Sequence, residues 1–467
     1  MGATDSSAMV GELEAICGPG GAIASDEPAA RPLLHDTTED EGIGGRADAV
    51  AFPSTAQQVA EVLAWCYRND VSLTPRGGAT GLAAGSVPDG GVLLDLGRLD
   101  RVRSFDWPQW RMEVEAGVRT ADVQRLAREG GLLFAPDPGA REQSTIGGNI
   151  ATNAGGPHAF KYGVTSRWVT GLEVAVAPGE LMSVGGPLSK DVAGYDLVHL
   201  LCGSEGTLGI VTGAWLRLVP APQAAITVAA FYPGYEEGCA AIAAVMEAGA
   251  QPATLEYLDA GAVAAAGGSF PGGAPAGAGF MVLSEADGSL AEAQATTAEL
   301  EEILGADAIA VERFGDRSRE AELARWRDGV AIAVSAQRGG KVSDDIAVPV
   351  ESLGEAIAAT LAIGERHGLE ACSWGHAGDG NLHSTFMLDR ADSAALARAR
   401  AAAEELFELA DRLGGTISGE HGIGAAKAGH LGAGWDPARV RLHRRVKEAF
   451  DPKGLLNPGK KVTGGAP

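Results

Sequence analysis

Two glycine-flanked segments contain the residues whose types and spacing could hold a metal ion. The first has His376 and His383 on either side of a Gly-Asp-Gly turn, and the second has Glu420 and His421 between glycines. Side chains seven positions apart on one continuous strand point to opposite faces, whereas a strand–turn–strand can bring the two histidines together. His376, His383 and Glu420 would then give two imidazoles and one carboxylate, and would leave coordination positions open for a substrate.

The ligand types favour Zn²⁺ at such a site, with Mn²⁺ or Fe²⁺ as the alternatives. The ordinary explanation is a satisfied histidine at each position. It is weakened because three of the nine histidines fall in these two segments. We therefore expect a divalent metal site.

Three glycine-rich segments could place backbone N–H groups against a flat, anionic ligand. The first, residues 75–82, follows a predicted strand, and its glycines let successive N–H groups form a concave anion site. It lacks the Gly-Lys-Ser/Thr of a P-loop and the GxGxxG of a Rossmann unit. Residues 145–156 are nearly all small or short polar residues, with Asn149 and Thr152 as hydrogen-bonding groups, and residues 203–210 are similar. Together they suggest a long ligand with a diphosphate, although a plain turn is the alternative for each segment alone.

The elements that must position these segments are strands and amphipathic helices. Two predicted strands, 47–52 and 71–74, enclose a helix whose apolar residues recur at i, i+3, i+4, i+7 and i+8. From residue 221 strands and helices alternate, which indicates an α+β domain whose sheet is covered on one face. Residues 261–279 are predicted as a loop, because they contain Gly, Ala and Pro with few large apolar residues.

Composition and charge exclude several classes of function. A chain of 467 residues predicts two or three domains, and a net charge of −24 repels the phosphate backbone of a nucleic acid. The five cysteines form no CxxC pair, which excludes a Cys₄ zinc site and a ferredoxin-type cluster and fits a reducing compartment. No apolar stretch is long enough to span a membrane, and residues 1–10 lack the features of a secretory signal. We expect a cytoplasmic enzyme, with peripheral attachment to a membrane left open.

The three glycine-rich segments, in their order along the chain, resemble the FAD-binding domain of the vanillyl-alcohol oxidase/p-cresol methylhydroxylase superfamily. Within it, the chain is most similar to the group of D-lactate dehydrogenase, D-2-hydroxyglutarate dehydrogenase and glycolate oxidase FAD subunits. The resemblance implies an α+β fold: a two-part FAD-binding domain and an α+β substrate (cap) domain built on an antiparallel sheet. The domains would be residues 1–220 for FAD binding, 221–424 for the substrate, and 425–467 for a segment that returns to the FAD-binding domain.

The resemblance also assigns residues to FAD, which would be non-covalent because the first loop has no histidine. The diphosphate would lie on residues 77–81, and the isoalloxazine would be reached by residues 145–152 and 206–210. Ala79 replaces the family's usual third glycine, which keeps the N–H donor but restricts φ. The predicted cofactor residues are Arg76, Gly77, Gly78, Ala79, Thr80, Gly81, Leu82, Pro138, Thr145, Gly147, Gly148, Asn149, Ala151, Thr152, Gly155, Gly206, Ile210 and Asn457.

The same resemblance implies oxidation of a small 2-hydroxy acid of the D series to the 2-oxo acid, with the hydride passed to FAD. His376, His383 and Glu420 match the metal ligands of the family's metal-dependent members, and the ion would lower the pKa of the substrate hydroxyl. His421 matches the residue proposed as base.

Three further residues would hold the substrate. Arg327 follows a tryptophan and matches the family's carboxylate-binding arginine, since a guanidinium binds a carboxylate in a bidentate manner. A solvated helix charge is the alternative for Arg327. Lys341 is the candidate for the second cation, with a plain surface charge as its alternative, and Asn381 would contact the substrate.

The electrons must pass to a separate acceptor, which could be an electron-transfer flavoprotein, an iron–sulfur subunit, a quinone or O₂. No nucleic-acid partner and no transmembrane segment are expected, and a homodimer is left open. Three other functions also stay open. They are a non-redox flavin enzyme of the alkyl-dihydroxyacetone-phosphate synthase type, a flavin-free metal-dependent hydrolase, and an FAD-storage or scaffold protein.

Overall fold

The structure is a computed structural model that describes residues 6–461. Residues 1–5 of the segment tested for a secretory signal, and residues 462–467 of the predicted C-terminal segment, lie outside the described residues. The strands are β1 (Ala22–Ala24), β2 (Ala49–Ala51), β3 (Leu73–Arg76), β4 (Val92–Asp95), β5 (Val102–Asp106), β6 (Arg111–Glu115), β7 (Leu132–Leu133), β8 (Val169–Val176), β9 (Glu180–Gly185), β10 (Ile210–Arg217), β11 (Val219–Pro220), β12 (Ala224–Tyr232), β13 (Thr254–Leu258), β14 (Phe280–Gly288), β15 (Ala310–Phe314), β16 (Gly340–Ala347), β17 (Glu370–His376) and β18 (Asn381–Leu388). The helices are α1 (Ser6–Cys17), α2 (Ala56–Asn69), α3 (Thr120–Glu129), α4 (Ile146–Thr152), α5 (Ala159–Tyr162), α6 (Leu197–Leu201), α7 (Tyr235–Glu247), α8 (Ala260–Ala266), α9 (Leu290–Leu304), α10 (Arg317–Asp328), α11 (Val330–Arg338), α12 (Leu353–His367), α13 (Ser393–Arg412) and α14 (Pro437–Phe450).

The chain divides into two units, and the first is built on two main sheets. Its described residues are 6–155, Val164–Pro220 and 420–461. The four-stranded sheet has the order β1-β2-β4-β3, with β2, β4 and β3 parallel and β1 antiparallel to β2. The five-stranded sheet, β5-β6-β10-β8-β9, is antiparallel throughout. Strands β7 and β11 form a separate antiparallel pair.

The parallel sheet carries the first glycine-rich segment at the end of β3. Helix α2 begins at a Thr55 cap and buries the apolar stripe predicted from the sequence against this sheet's core. The C-terminal tail joins the sheet as well, because Leu73 and Leu456 form a parallel bridge beside β3. The chain returns to this unit at Glu420, five residues before the boundary predicted at residue 425.

The second unit contains residues 156–163 and Ala221–Gly419 and is built on one sheet of seven strands. The strand order is β15-β12-β14-β13-β17-β18-β16, and every pairing is antiparallel. This confirms the α+β fold with an antiparallel sheet that the resemblance implied.

Helices cover both faces of the seven-stranded sheet, so the prediction of one covered face is wrong. On one face, Thr360 of α12 forms a 2.9 Å hydrogen bond with Ser384. On the other face, Met387 belongs to an apolar cluster with residues of α8 and α11. Ser384 and Met387 are three positions apart on β18 and therefore point to opposite faces. The consecutive residues Phe386 and Met387 are both buried, which is the pattern of a strand with two buried faces.

Two segments predicted as loops contain helices. Helix α8 lies at the start of the region 261–279, capped by Asp259, because the alanines that suggested a loop are also the strongest helix formers. Helix α4 occupies most of the second glycine-rich segment; Thr145 caps its start and Asn153 ends it with φ of 54°. Within residues 6–461, no helix has the length and apolar character needed to cross a membrane.

Candidate active site

The two histidines predicted to bind a metal lie on one face of the seven-stranded sheet. The chain forms β17, a turn at Ala377–Asp379 and β18, which is the predicted strand–turn–strand. Across this hairpin His376 pairs with Asn381, and Trp374 pairs with His383. Paired residues of an antiparallel ladder share a face, as do residues two apart on one strand. The two imidazole centroids are 5.3 Å apart and their planes are nearly perpendicular, at 87°.

Glu256 fixes the orientation of the His376 ring. The register places Glu256 of β13 opposite His376, with Oε1 2.6 Å from Nδ1 and each side chain 9% exposed. An ionised carboxylate only accepts hydrogen bonds, so this contact favours the tautomer of a neutral His376 ring in which the proton lies on Nδ1 and the lone pair on Nε2. Metal-binding histidines commonly have this arrangement, in which a carboxylate holds one ring nitrogen and the other binds the ion. Glu256 was not predicted from the sequence, although one charge inside the apolar strand Thr-Leu-Glu-Tyr-Leu was a signal for a buried partner.

Two of the predicted substrate residues, Lys341 and Asn381, flank the histidine pair. The Nζ of Lys341 is 4.9 Å from the ring centroid of Trp374, which is itself 5.9 Å from the centroid of His383. Asn381 is 5% exposed, and its Nδ2 donates to the carbonyl of Ile346 at 3.0 Å. Within residues 6–461, the buried Oδ1 of Asn381 has no hydrogen-bond partner. A buried acceptor without a donor costs about 1–3 kcal/mol, so Asn381 is suited to accept a hydrogen bond from a ligand.

Arg327 lies half-buried in the last turn of α10. The preceding residue, Trp326, packs in the apolar cluster of this face and donates from its indole to the carbonyl of Ala266 at 2.8 Å. Trp326 thereby anchors the helical turn that carries Arg327. Arg327 belongs to the same unit as Lys341 and the histidine pair, and its contact with a substrate carboxylate stays a prediction.

A buried carboxylate in the first unit holds the segment that follows the predicted base. Glu205, which is 6% exposed, accepts hydrogen bonds from the backbone N–H of Ile423 at 2.9 Å and of Gly424 at 2.6 Å. Glu205 itself has φ of 54°, a left-handed conformation. Glu205 was not predicted from the sequence, although an acid inside an otherwise small and neutral glycine-rich segment was a signal for it.

Glu420 and His421 belong to the first unit, whereas His376 and His383 belong to the second. The Nε2 of His421 is 3.9 Å from Oε1 of Glu420. A Cβ at Gly155 would come within 2.7 Å of the Glu420 carboxylate, so a glycine there leaves space for the acid. The roles of Glu420 as third metal ligand and of His421 as base stay predictions.

The first glycine-rich segment packs against the beginning of the second. A Cβ on Gly77 would lie 2.6 Å from Oγ1 of Thr145, and one on Gly78 would collide with the carbonyl oxygen of Gln143. Ala79, in the place of the family's third glycine, adopts φ of 51°. A left-handed conformation costs an alanine about 1–2 kcal/mol, so the surrounding structure must hold this turn in place.

Arg76 is engaged within its own unit. Its Nη1 donates to the carbonyl of His35 at 2.7 Å, its Nε is 3.6 Å from Asp95, and burial lowers the pKa of the Arg76 guanidinium. Asp36 follows His35 and lies beside the predicted diphosphate loop, with Oδ2 4.0 Å from the Cβ position of Gly81. Burial raises the pKa of Asp36, and within the described part of the chain its Oδ2 has no hydrogen-bond partner. Asp36 was not predicted from the sequence.

In the second segment, the polar side chains form hydrogen bonds within the protein. Asn149 is 3% exposed and donates to Oγ1 of Thr120 at 2.7 Å, and Thr152 donates to the carbonyl of Gly148 at 3.2 Å. Thr145 accepts from the N–H of Gly148 at 3.3 Å. These bonds stabilise α4 and fix its position, and contact of the same residues with FAD stays a prediction.

The third segment and the tail meet at Asn457. Its Nδ2 donates to the carbonyls of Gly85 at 2.9 Å and Glu205 at 2.7 Å, while its buried Oδ1 has no hydrogen-bond partner among residues 6–461. Gly206 has φ of 70°, which favours glycine. Ile210 is 1% exposed and its side chain belongs to the apolar core, so only its backbone could face a ligand.

The remaining predicted cofactor residues also belong to the first unit: Thr80, Gly81, Leu82, Pro138, Gly147, Gly148 and Ala151. The unit therefore brings together close-packed glycine-rich turns and the buried acceptor oxygens of Asp36 and Asn457, which have no donor among the residues that the structure describes. Such a lining fits a ligand that is held largely by backbone groups and that supplies N–H or O–H donors of its own.

Comparison with known proteins gives consistent matches over nearly the whole chain. Residues 47–185 match the FAD binding domain family, and residues 221–461 match the FAD linked oxidases, C-terminal domain family. The chain is 36% identical to the glycolate oxidase subunit GlcD of Bacillus subtilis, over 93% of each chain, and 33% identical to the D-lactate dehydrogenase of Anaerostipes hadrus, over 92% and 93%. A crystal structure of p-cresol methylhydroxylase superposes with a TM-score of 0.79 at 15% identity, covering 99% of this chain and 98% of the other, which shows a shared fold.

Proposed function

Because the chain belongs to the family of FAD-linked oxidases of the glycolate oxidase and D-lactate dehydrogenase type, we propose that it oxidises a small 2-hydroxy acid of the D series to the 2-oxo acid. The observation that carries this proposal is the histidine pair of the second unit, in which the two imidazole centroids lie 5.3 Å apart and Glu256 holds Nδ1 of His376. A carboxylate-oriented imidazole beside a second imidazole is a common metal-binding arrangement.

His376, His383 and Glu420 would hold the divalent ion. Two imidazoles and one carboxylate suit Zn²⁺ first, with Mn²⁺ or Fe²⁺ as the alternatives. A bound ion of this kind supplies Lewis-acid chemistry that makes an attached hydroxyl easier to deprotonate. One ring nitrogen of His421 would then take the hydroxyl proton as general base.

Two cations and one amide would bind and orient the substrate. The Arg327 guanidinium suits bidentate binding of the carboxylate, and Lys341 adds a positive charge on the same sheet face as the histidines. The Oδ1 of Asn381, which has no hydrogen-bond partner in the described part of the chain, would accept a hydrogen bond from the substrate. Fixing the carboxylate and the hydroxyl together would point the substrate Cα–H bond in one direction.

FAD, when bound without a covalent link, supplies a hydride acceptor. The glycine-rich turns at residues 77–81 would approach its diphosphate through their backbone N–H groups. The buried Oδ1 of Asn457 suits an N–H donor such as the flavin ring provides. The electrons would pass to a separate acceptor: an electron-transfer flavoprotein, an iron–sulfur subunit, a quinone or O₂.

The test combines a visible spectrum with anaerobic reduction. The purified protein should show flavin absorbance, and its colour should bleach when one of a panel of D- and L-2-hydroxy acids is added without oxygen. The proposal predicts that His421→Ala abolishes bleaching and keeps the flavin. A colourless protein would favour the flavin-free hydrolase. A coloured protein that no member of the panel bleaches would favour the non-redox synthase or the scaffold.

A further inference from the structure

Helix α14 is strongly basic in an otherwise acidic chain. From residue 420 to the end, nine lysines and arginines stand against four acidic residues, a net charge of +5. The preceding 419 residues have 28 basic and 57 acidic residues, a net charge of −29. Helix α14 alone has five basic residues and one acidic residue. Residues 420–467 therefore have a net positive charge, whereas the rest of the chain has a strongly negative one.

One side of α14 presents three arginines to solvent. Arg441, Arg444 and Arg445 are all exposed, and Leu442 between them is 61% exposed. Within residues 6–461, none of the three guanidinium groups forms an ion pair or a side-chain hydrogen bond. We call Arg441, Leu442, Arg444 and Arg445 the arginine face. Since no carboxylate among the described residues pairs with these three arginines, their guanidinium groups can meet an anionic partner.

The opposite side of α14 is fastened to the segments predicted to bind the flavin. The Nζ of Lys447 donates to the carbonyl of Thr207 at 2.7 Å and to that of Leu456 at 2.8 Å, and it pairs with Asp451 at 2.5 Å. Thr207 lies in the third glycine-rich segment, and Leu456 precedes Asn457 in the tail. Lys447 therefore fastens α14 to the segments that carry Gly206 and Asn457, two of the residues predicted to contact the cofactor.

We propose that the arginine face is the docking surface for an acidic protein that accepts electrons from the reduced flavin. This inference rests on the proposed function, since it assumes that the flavin is reduced. Returning the flavin from FADH₂ to FAD releases two electrons and two protons. Two molecules of a one-electron acceptor take the electrons, and the protons go to water.

The observations favour an acidic protein over an anionic membrane. Helix α14 has 14 residues and is about 21 Å long, and charges are screened beyond about 10 Å at 0.1 M salt. A small acidic patch on a partner can meet the arginine face alone. A flat anionic bilayer is much larger than the helix, and it would repel the chain before residue 420, which has a net charge of −29.

The test measures how fast the reduced flavin is reoxidised by an acidic blue-copper protein such as plastocyanin. The flavin is reduced photochemically, so the measurement needs no substrate and stays interpretable if the proposed substrate class is wrong. The test variant changes the three arginines of the arginine face to glutamate. The control variant makes the same change at three other exposed arginines without a described ion pair: Arg31→Glu, Arg68→Glu and Arg412→Glu. An uncharged quinone serves as a second acceptor that needs no docking.

In the unchanged protein, the rate constant with the blue-copper protein should fall as salt is added. The test variant should be slower by roughly ten-fold or more at low salt, and should lose the salt dependence, because electrostatic steering contributes factors of this size. The rate constant of the control variant should differ from that of the unchanged protein by less than about three-fold, since its substituted charges lie outside the arginine face. The quinone should reoxidise all three proteins at one rate. An equal loss in both variants, or a rate that ignores salt, would overturn the proposal. A second combination of results would also overturn it: the unchanged protein binds phosphatidylglycerol vesicles and the test variant does not, while both react with the blue-copper protein at the same rate. Helix α14 would then be a membrane-binding helix.

Discussion

Replacing Glu256 with glutamine tests whether His376 binds a metal ion through Nε2. The 2.6 Å contact between Glu256 and Nδ1 of His376 is buried, and the carboxylate can only accept a hydrogen bond there. A glutamine keeps the size of the side chain but removes the charge. It can also turn its NH₂ group toward the ring, which would move the proton to Nε2 and remove the lone pair that is proposed to bind the ion.

The size of the effect follows from the buried, charge-assisted hydrogen bond. Such a bond contributes about 1.5–3 kcal/mol, and mutation of a group that hydrogen-bonds to a metal-bound histidine typically lowers metal affinity by about 10–100-fold. At about 1.4 kcal/mol for each factor of ten, the two ranges agree. We therefore expect Glu256→Gln to bind Zn²⁺ roughly 10–100-fold more weakly, with the flavin content unchanged because the cofactor segments belong to the other unit.

The assay is competition for Zn²⁺ between the protein and a chelator of known affinity, together with the metal content after dialysis. A matched control is Glu285→Gln, which removes the carboxylate 3.1 Å from Nε2 of His158 in the same unit and should leave Zn²⁺ affinity unchanged. Thermal unfolding should be measured on both variants to exclude a general loss of stability. If Glu256→Gln binds Zn²⁺ like the unchanged protein while His376→Ala does not, the reasoning about ring orientation is wrong. If His376→Ala also keeps the metal, the ligand set is wrong.

Three further predictions concern other parts of the structure. Gly77→Ala should reduce the amount of flavin retained after gel filtration, because the added Cβ would lie 2.6 Å from Oγ1 of Thr145 and overpacking costs about 1–3 kcal/mol. Full retention of the flavin would show that the loop can move aside. Glu205→Gln should lower the free energy of unfolding by about 1–3 kcal/mol, because an amide has one oxygen and cannot accept from both backbone N–H groups that the carboxylate holds. An unchanged midpoint of urea unfolding would contradict this. Burial raises the pKa of Asp259 from 3.8 to about 7, so the native state binds the carboxyl proton more tightly than the unfolded state does. The free energy of unfolding should therefore fall as pH rises between these two values, by at most about 1.4 kcal/mol per pH unit. The free energy of unfolding of Asp259→Asn, measured with urea, should lack this dependence on pH. Parallel curves of unfolding free energy against pH for the variant and the unchanged protein would contradict the prediction.

The histidine hairpin could be predicted from the sequence because all of its information is local. The Gly-Asp-Gly turn and the spacing of seven are sufficient to place His376 and His383 on one face once the strands pair. Glu256 could not be placed in the same way. It reaches His376 only because β13 pairs with β17, 120 residues further along the chain, and no local pattern specifies which strands become neighbours.

The glycine-rich segments show a second limit of sequence reasoning, in that a glycine can serve a ligand or the protein. The sequence assigned these glycines to a cofactor, and composition alone cannot separate that use from close packing. In the structure, Gly77 and Gly78 leave no room for a side chain against residues 143–145, and Gly155 leaves space for Glu420. The same positions therefore hold the segments together and shape the surface that a cofactor would meet. Because both uses require a missing side chain, substitutions at these glycines should lower stability and flavin binding together, whereas substitutions of the arginine face should alter neither.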